Sequence, residues 1–408
     1  MARISIKKLF GRFSYDFDMG DMTGAGLIIL TGPNGFGKTT ILKAINAVSS
    51  SDLSFFADLM FESFEIVRDD IGEKILIEKQ KEGLRINGIE LSNKDIVLLR
   101  RGIFNRKRVV SDSSGDRLVA VQEESELSRL LSQMQKIFGK IQYIKEQRLV
   151  GEDDTKAASL QGEERVIYRK EKQEGVNNIP EKLKSLMRKL DFQYSQLSNK
   201  LDSTFPKRLF NLEEGISEDE FNRKINQMQE KIEKLNLNGI SRLEKLDVTK
   251  FRRDDARALK IYFEDFDSKY QVYEKMIEQL ELFREIVNNH LRFKHLEITS
   301  EHGMVVRDND TKEKIRLNLL SSGEQEILVL YYKLLFETQK GTVVLIDEPE
   351  ISLHIAWQRM FAQDLKRIVM LKDIYAVIAT HSPQMVSGNR NIQYDLGEIY
   401  KNGLTQRE

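Results

Sequence analysis

The eight residues 32–39 read GPNGFGKT, which has the spacing G-x-x-x-x-G-K-[ST] of a phosphate-binding loop. The continuous apolar run LIIL at 27–30 precedes this segment, and the helix-like run TILKAI at 40–45 follows it. Glycines let the backbone curl so that its N–H groups surround phosphate oxygens at a helix start. The pattern therefore predicts a strand, a nucleotide-phosphate loop and a helix. The predicted phosphate-binding residues are Gly32, Pro33, Asn34, Gly35, Phe36, Gly37, Lys38, Thr39 and Thr40.

A metal site is predicted by this loop together with a second segment. We expect the Lys38 ammonium to reach the β- and γ-phosphates and the Thr39 hydroxyl to bind Mg²⁺. Residues 343–348 read VVLIDE, four apolar residues followed by two carboxylates, which is the Walker B pattern. Asp347 is expected to hold the water shell of Mg²⁺, and Glu348 to polarise the attacking water.

A third segment, LSSGEQ at 320–325, combines small hydroxyl residues and glycine ahead of an apolar helical run. A helix start exposes backbone N–H groups that have no partner within the helix and that attract an anion. The segment therefore predicts a second set of phosphate contacts. Its candidate residues are Ser321, Ser322, Gly323 and Glu324.

The order GPNGFGKT, LSSGEQ, LIDEPE and THSP resembles that of ABC-type ATPases of the SMC and RecF-like branch. The segments EPEISLH and ATHSPQM resemble those of OLD-type and bacterial phage-defence ATPases of the AAA family, including PARIS-like and Septu-like systems. The resemblance covers roughly residues 1–150 and 295–390. It implies an enzyme that hydrolyses ATP to ADP and phosphate with Mg²⁺.

The resemblance also implies at least a homodimer, because in this family the signature segment completes the nucleotide site of the opposite subunit. Ser321 and Gly323 would then contact the γ-phosphate held by the partner, although Ser322 stands where transporter-type members carry glycine. Residues 350–354, EISLH, would form the D-loop at the dimer seam. His381, which follows the apolar strand YAVIA, would be the switch histidine that senses the γ-phosphate.

Three weaker signals leave alternatives open. Gln147 in YIKEQRL is a candidate Q-loop residue that would bind Mg²⁺ and the attacking water, or else an exposed helix residue. Phe13 or Arg12 would contact the base or ribose, with Phe13 as a plain core residue as the alternative. A stretch without acids at 96–110 could neutralise nucleic-acid phosphates, or form a solvated surface or a protein interface. Its cations are Arg100, Arg101, Arg106, Lys107 and Arg108.

Composition narrows the class of protein. The 408 residues are 40% hydrophobic and 31% charged, with 64 basic and 64 acidic residues, so no overall field attracts nucleic acid or membrane. There is no cysteine, which excludes disulfides, thiolate zinc sites and a cysteine nucleophile. No stretch approaches the roughly 18 apolar residues of a membrane span. We expect a cytoplasmic protein without a membrane partner.

The predicted fold is α/β: a P-loop ATPase head with a mixed sheet and an antiparallel lobe, interrupted by a helical, partly coiled-coil insertion. Residues 1–150 and 296–408 would form the head, and residues 151–295 the insertion. The alternating stretches at 64–91 predict the antiparallel lobe. Heptad spacing from Phe221 to Leu235 predicts a helix, and Pro206 and Asn238-Gly239 predict breaks between helices. Asp265 and Asp267 are expected at the surface.

The role of the chain is predicted from the resemblance and from the short segment after THSP. Only about 25 residues come after that motif, which leaves no room for the C-terminal nuclease domain of OLD-type proteins, and we find no second catalytic centre. We therefore expect an ATPase that acts as the sensor or the regulator of a separate nuclease or toxin in anti-phage defence. The alternative is a DNA-binding repair ATPase of RecF or SMC character. A nucleotide-bound scaffold with slow turnover is a third possibility.

Overall fold

The computed structural model describes residues 2–22, 24–100, 126–145, 175–240, 250–351 and 353–405. The chain forms two compact units. One, here called the split unit, joins Met1–Gln147 to Thr338–Glu408, and the other, the central unit, comprises Arg148–Glu337. None of the helices in the described ranges combines the length and the hydropathy needed to span a bilayer.

A parallel sheet of five strands lies at the centre of the described part of the split unit, with the order β14-β3-β13-β12-β8. Its strands are β3 (Gly26–Thr31), β8 (Ile141–Ile144), β12 (Val343–Asp347), β13 (Tyr375–Ala379) and β14 (Gln393–Asp395). The side chains of β12 and β13 are buried along their whole length. This burial explains their continuous apolar sequences, because both faces of such a sheet are covered.

The predicted antiparallel lobe is confirmed as a sheet with the order β2-β1-β4-β5-β6-β7. Its strands are β1 (Ala2–Leu9), β2 (Phe13–Gly20), β4 (Ser63–Arg68), β5 (Glu73–Gln80), β6 (Gly83–Ile86) and β7 (Ile89–Ser92). Alternate residues such as Phe64, Ile66, Ile75 and Ile77 are buried, which is the period-two pattern of a sheet with one covered face.

Helices cover both sheets of the split unit. They are α1 (Lys38–Ser50), α2 (Leu53–Asp58), α3 (Asn93–Arg100), α4 (Glu126–Ile137), α9 (Ile355–Lys372), α10 (Pro383–Val386) and α11 (Leu396–Thr405). Helix α1 buries Ile41, Leu42, Ile45 and Val48 in the same core as both sheets. The helix that follows the phosphate loop is therefore fixed by its apolar face.

The central unit is mainly helical. It contains α5 (Ile179–Asn211), α6 (Glu218–Leu237), α7 (Ala256–His290), β9 (Lys294–Thr299), β10 (Gly303–Asp308), β11 (Lys314–Ile315) and α8 (Ser322–Tyr332). Both α5 and α6 pack against α7, and the predicted heptad positions of α6 form its buried stripe. Helix α6 ends just before Asn238-Gly239, as predicted. The α/β class with a long helical insertion is thus confirmed.

Two details differ from the sequence predictions. Pro206 lies inside α5 and does not separate two helices. Asp265 is buried instead of exposed, because Arg208 donates to both of its carboxylate oxygens at 2.6 and 2.8 Å. Residues 296–337 group with the central unit, where β9 packs on α7 and β10 on α5, and their functional assignment to the head stays a prediction.

Candidate functional site

The motif residues of the split unit are positioned by the parallel sheet. Strands β3, β13 and β12 are neighbours with the same direction, so the segments after them meet at one edge. These segments are the phosphate loop, THSP and the two carboxylates of Walker B. Distant parts of the sequence are brought together there because parallel strands place their carboxyl ends side by side.

The phosphate loop leads into α1 through Gly37, which has a φ of 91°. A Cβ at this position would lie 2.7 Å from Leu9 Cδ2, so glycine is required for both its conformation and the space. Lys38 is buried, and its Nζ donates to the carbonyl oxygens of Gly32 at 2.9 Å and Pro33 at 3.4 Å. The ammonium is thus held over the loop whose N–H groups would bind phosphate.

Asp347 at the end of β12 is bonded through both carboxylate oxygens. The Thr39 hydroxyl donates to Oδ1 at 2.9 Å, and the Tyr143 hydroxyl donates to Oδ2 at 2.9 Å. Hydroxyl and carboxylate oxygens are ligands that Mg²⁺ prefers. Thr39 and Asp347, predicted from motifs far apart in the sequence, therefore lie together and fit a magnesium site. Tyr143 on β8 is a residue that the sequence analysis missed, four positions before Gln147.

Glu348 has an unusual backbone and a shifted pKa. Its φ of 42° is left-handed, which costs a non-glycine residue about 1–2 kcal/mol, and its N–H donates to the Ala379 carbonyl at 2.8 Å. Burial raises the pKa of the Glu348 carboxyl. The neighbouring carboxylates Glu350 and Asp347 also raise this pKa, whereas His381 and Lys38 lower it. A half-buried carboxylate with a raised pKa is suited to accept a proton.

His381 is held by Glu350 and lies next to Glu348. The His381 Nδ1 is 3.0 Å from Glu350 Oε1 and 3.8 Å from Glu348 Oε1. The same Glu350 oxygen accepts the His381 backbone N–H and the Thr380 hydroxyl, each at 2.6 Å. The structure thus places the predicted switch histidine beside the predicted catalytic carboxylate. The buried side chain of Glu350 was predicted only as the start of the D-loop.

Phe13 belongs to an aromatic cluster behind the phosphate loop. Its ring centroid lies 4.9 Å from that of Phe36 and 5.0 Å from that of Tyr400, and the side chain is buried. The Tyr15 hydroxyl donates to the Phe36 carbonyl at 2.7 Å. These contacts agree with Phe13 as a core residue that supports the loop. The guanidinium of Arg12 lies 6.0 Å from the centroid of the Phe13 ring.

The signature segment begins α8 of the central unit. Ser321 is the N-cap: its hydroxyl oxygen accepts from the Glu324 N–H at 3.4 Å, and its own N–H donates to Glu324 Oε2 at 2.8 Å. Lys294 Nζ donates to both Glu324 oxygens at 2.8 and 2.9 Å. Burial would raise the pKa of Glu324, but the bonds from Lys294 and Ser321 lower it. Glu324 therefore holds the helix start, and its contact with nucleotide stays a prediction, as do those of Ser321, Ser322 and Gly323.

Some predicted residues lie outside the described ranges. These are Gln147, Ser352 in EISLH, and the cations Arg101, Arg106, Lys107 and Arg108. Arg100 is the last residue of α3. In the described part of the chain, no group of three or more His, Asp or Glu side chains could hold a metal ion by itself.

Comparison with known proteins gives a family match. The model of the AAA ATPase domain matches residues 3–386. No curated protein matches the chain in sequence.

Among solved structures, the chain is similar to the Smc head domain with an extended coiled coil bound to the C-terminal domain of ScpA, from Pyrococcus furiosus. The TM-score is 0.37 at 12% identity, over 95% of this chain and 92% of that chain. The SMC head domain from Thermotoga maritima has a TM-score of 0.35 at 12% identity, over 94% of this chain and 90% of that chain.

Proposed function

Since the chain belongs to the AAA ATPase domain family and is an ATP-hydrolysing enzyme, we propose that two copies of it close head-to-head around ATP and Mg²⁺. The main support for a nucleotide site is the hydrogen bond from Thr39, at the start of α1, to Asp347. Glu348 is the next residue after Asp347. Lys38 would exchange its loop carbonyls for β- and γ-phosphate oxygens. Thr39 and Asp347 would hold Mg²⁺, which would supply positive charge to neutralise the phosphates.

Glu348 would receive a proton from the attacking water. Its raised pKa favours this transfer, and its left-handed backbone aims the carboxylate to the side of the strand end where His381 lies. The 3.8 Å between the His381 ring and the Glu348 carboxylate allows both groups to face the γ-phosphate. Hydrolysis would remove the γ-phosphate contacts and release the closed state.

Dimerisation is supported by exposed apolar side chains in the two segments that would meet the partner. At the D-loop, Ile351 is 51% exposed and Ile355 is 59% exposed. Near the signature segment, Leu319 is 71% exposed and Phe293 is 75% exposed. Apolar side chains exposed in both segments offer surface that a second copy could cover. A second copy of the chain is the partner that this proposal requires.

Mixing two inactive variants tests the shared site. Lys38→Ala destroys the phosphate loop, and Ser321→Asn places a larger side chain at the signature while preserving an N-cap. In a mixed dimer of the two, one site has both halves intact, so we expect activity to return to between one tenth and one half of wild type, depending on the fraction of mixed dimers. Enzymatic phosphate release measures this recovery.

The control is a mixture of Lys38→Ala with the double variant Lys38→Ala/Ser321→Asn, which contains no intact site in any combination. That mixture should stay inactive. If the first mixture also stays inactive although mixed dimers are shown by tag-based purification, the proposal of a site shared between subunits is wrong.

We further propose that this ATPase acts in bacterial anti-phage defence. It would be the sensor for a separate nuclease or toxin, or the regulator of that effector. Support comes from the segments EPEISLH and ATHSPQM and from the long helices of the central unit, which could transmit closure to a partner. Tagged Glu348→Gln protein with ATP should retain a companion protein that Lys38→Ala protein loses. Stimulation of hydrolysis by DNA, without such a companion, would favour the DNA-repair alternative.

A further inference from the structure

One carboxylate oxygen in the split unit accepts two hydrogen bonds from consecutive residues and lies beside the imidazole of the second. Glu350 Oε1 accepts from the Thr380 hydroxyl at 2.6 Å and the His381 backbone N–H at 2.6 Å, and it lies 3.0 Å from His381 Nδ1. The Glu350 side chain is 3% exposed, whereas that of His381 is 48% exposed. A buried acid thus binds the His381 backbone N–H and lies beside its exposed imidazole.

The contacts of Glu350 with the backbone and the ring of His381 restrict the orientation of the ring. They also influence which ring nitrogen is protonated. A half-exposed side chain otherwise samples several rotamers, which costs free energy when it must be ordered. An ionised carboxylate can only accept hydrogen bonds and repels a nitrogen lone pair, so its oxygen 3.0 Å from Nδ1 favours the tautomer with the proton on Nδ1. Nε2 is then the ring nitrogen available to a ligand.

Stability alone does not explain a glutamate at this position. The second oxygen, Oε2, is buried and has no hydrogen-bond partner among the described residues. A buried carboxylate with an unsatisfied oxygen is costly, and a neutral group of the same shape would reduce that cost. Glu348 also lies close to the same ring, which adds a second negative group. Such costs persist where a charge has a function.

We propose that Glu350 is a positioning residue for His381: it orients the imidazole and keeps the proton on Nδ1, so that Nε2 alone meets the γ-phosphate or the attacking water. The inference rests on the proposed function of the site. It gives the second glutamate of LIDEPE a role different from that of Glu348. In this role Glu350 itself would contact neither substrate nor metal.

The experiment measures the tautomer of His381 directly. The protein is labelled with ¹⁵N-histidine, and the His381 signals among the five histidines are assigned by their loss in His381→Gln. At about pH 8, where an ordinary histidine is neutral, we expect the wild type to show the Nδ1–H tautomer. Glu350→Gln has the same shape and its carbonyl oxygen can still accept from Thr380 and His381, but it lacks the negative charge, so the preference for Nδ1–H should weaken and the Nε2–H tautomer should appear.

The kinetic effect should follow the tautomer. We expect kcat of Glu350→Gln to fall by about tenfold or more, with a change in KM for ATP of less than about threefold. Ser382→Ala is the matched control, because Ser382 is buried in the same turn and donates to Gln358 without contacting the Glu350 carboxylate. It should keep the Nδ1–H tautomer and lose less than about threefold in kcat.

An Nε2–H tautomer in the wild type would overturn the proposal without any variant. So would a Glu350→Gln protein with wild-type kcat. If the tautomer changes as expected but the mixed variants described above recover no activity, the contact between Glu350 and His381 stands and the shared site fails. The two proposals are therefore separable.

Discussion

The orientation of the Asp347 carboxylate is set by side chains from two neighbouring elements. Thr39 reaches one of its oxygens from α1, and Tyr143 reaches the other from β8. A carboxylate fixed at both oxygens presents its remaining lone pairs in a set direction. The hydroxyl of Tyr143 is thus expected to orient a magnesium ligand without binding the metal itself. Burial and the Asp347 charge raise the pKa of Tyr143, which keeps this donor protonated.

Tyr143→Phe should raise the Mg²⁺ concentration needed for half-maximal hydrolysis by about tenfold, because partners of metal ligands typically contribute that much. Maximal activity at saturating Mg²⁺ should fall less. Titration of the metal at fixed ATP measures both values. Tyr375→Phe removes a buried tyrosine hydroxyl that donates to the Met19 carbonyl from the neighbouring strand β13, and it should leave the magnesium titration unchanged. An unchanged titration in Tyr143→Phe would exclude the positioning role.

The sequence predicted Lys38, Thr39 and Asp347 because each stands in a motif with its own spacing. It did not predict the contacts of Tyr143 or the buried side chain of Glu350. Tyr143 meets Asp347 across 204 positions, and this contact depends on β8 pairing beside β12 in one register. Periodicity within a segment carries no information about such a neighbour. Glu350 offered only its place after Walker B as a signal.

At the scale of elements, the start of α8 has a role that must be separated from nucleotide binding. Ser321→Ala removes the N-cap and should lower the free energy of unfolding of the central unit by about 1 kcal/mol. Ser321→Asn keeps a capping side chain and should change stability by less than about half of that. Both should lose hydrolysis by at least about tenfold if Ser321 meets the γ-phosphate. Urea unfolding and phosphate release separate the two effects.

The result that would contradict this assignment is a Ser321→Asn protein with full activity. The loss in Ser321→Ala would then reflect the cap alone. Lys294→Met is a further control, because it removes the ion pair to Glu324 without touching Ser321. Its activity should fall only to the extent that losing this ion pair destabilises the start of α8.

In the antiparallel lobe, Arg68 contacts the end of α4 and also forms a pH-sensitive ion pair with Asp70. Arg68 Nη1 donates to the Ile137 carbonyl at 2.7 Å, and hydrogen bonds from Arg68 lower the pKa of Asp70 from 3.8 to about 2. A folded-state pKa below the unfolded value stabilises the protein above about pH 4, and this stabilisation is lost as the pH falls towards 2. The expected contribution at pH 7 is about 1 kcal/mol after allowance for solvent screening.

Asp70→Asn should therefore be less stable than wild type by about 1 kcal/mol at pH 7, with the difference shrinking below pH 4. Thermal unfolding between pH 2.5 and 7 measures it. Asp69→Asn is the neighbouring control: its ion pair with Arg3 is 3.9 Å long and exposed, so little change is expected at any pH. A constant deficit of Asp70→Asn at every pH would contradict the linkage.

Helix prediction succeeded where the pattern was local and failed where packing decided. The heptad of α6 was predicted because its apolar residues recur at helical spacing and all face α7. Pro206 was misread as a break, since α5 continues through it for five more residues to Asn211. Asp265 looked like a surface acid because its partner Arg208 is 57 residues away on another helix. The spacing of residues within one helix carries no information about an ion pair with another helix.

At the scale of the whole molecule, the proposed dimer depends on the D-loop surface. Glu348→Gln should slow hydrolysis and accumulate as an ATP-bound dimer, measured by light scattering after size-exclusion chromatography. Adding Ile355→Glu places a charge at an exposed apolar position of that surface and should return the protein to monomer. Met60→Glu, an equally exposed methionine on another part of the split unit, is the matched control and should remain dimeric.

The only tryptophan of the chain, Trp357, provides an independent readout of the same event. It lies just after the D-loop on α9, with its ring centroid 6.3 Å from that of His354. Closure of a second copy over this segment should shift its emission when ATP is added to Glu348→Gln protein. The shift should depend on protein concentration with the same midpoint as the dimer. A shift without dimer formation would show that nucleotide binding alone moves the segment.

Charge separates the two functional hypotheses for the whole chain. The 64 basic and 64 acidic residues cancel, so long-range attraction to DNA must come from a local cluster such as Arg100, Arg101, Arg106, Lys107 and Arg108. Five phosphate contacts would make DNA affinity fall by about two to three orders of magnitude between 50 and 200 mM salt. A regulator of a separate effector needs no such contacts, so we expect hydrolysis at about 150 mM salt to be unaffected by DNA and by replacement of all five cations with glutamine. A steep salt dependence, lost in the glutamine variant, would instead show that the chain binds DNA through this cluster.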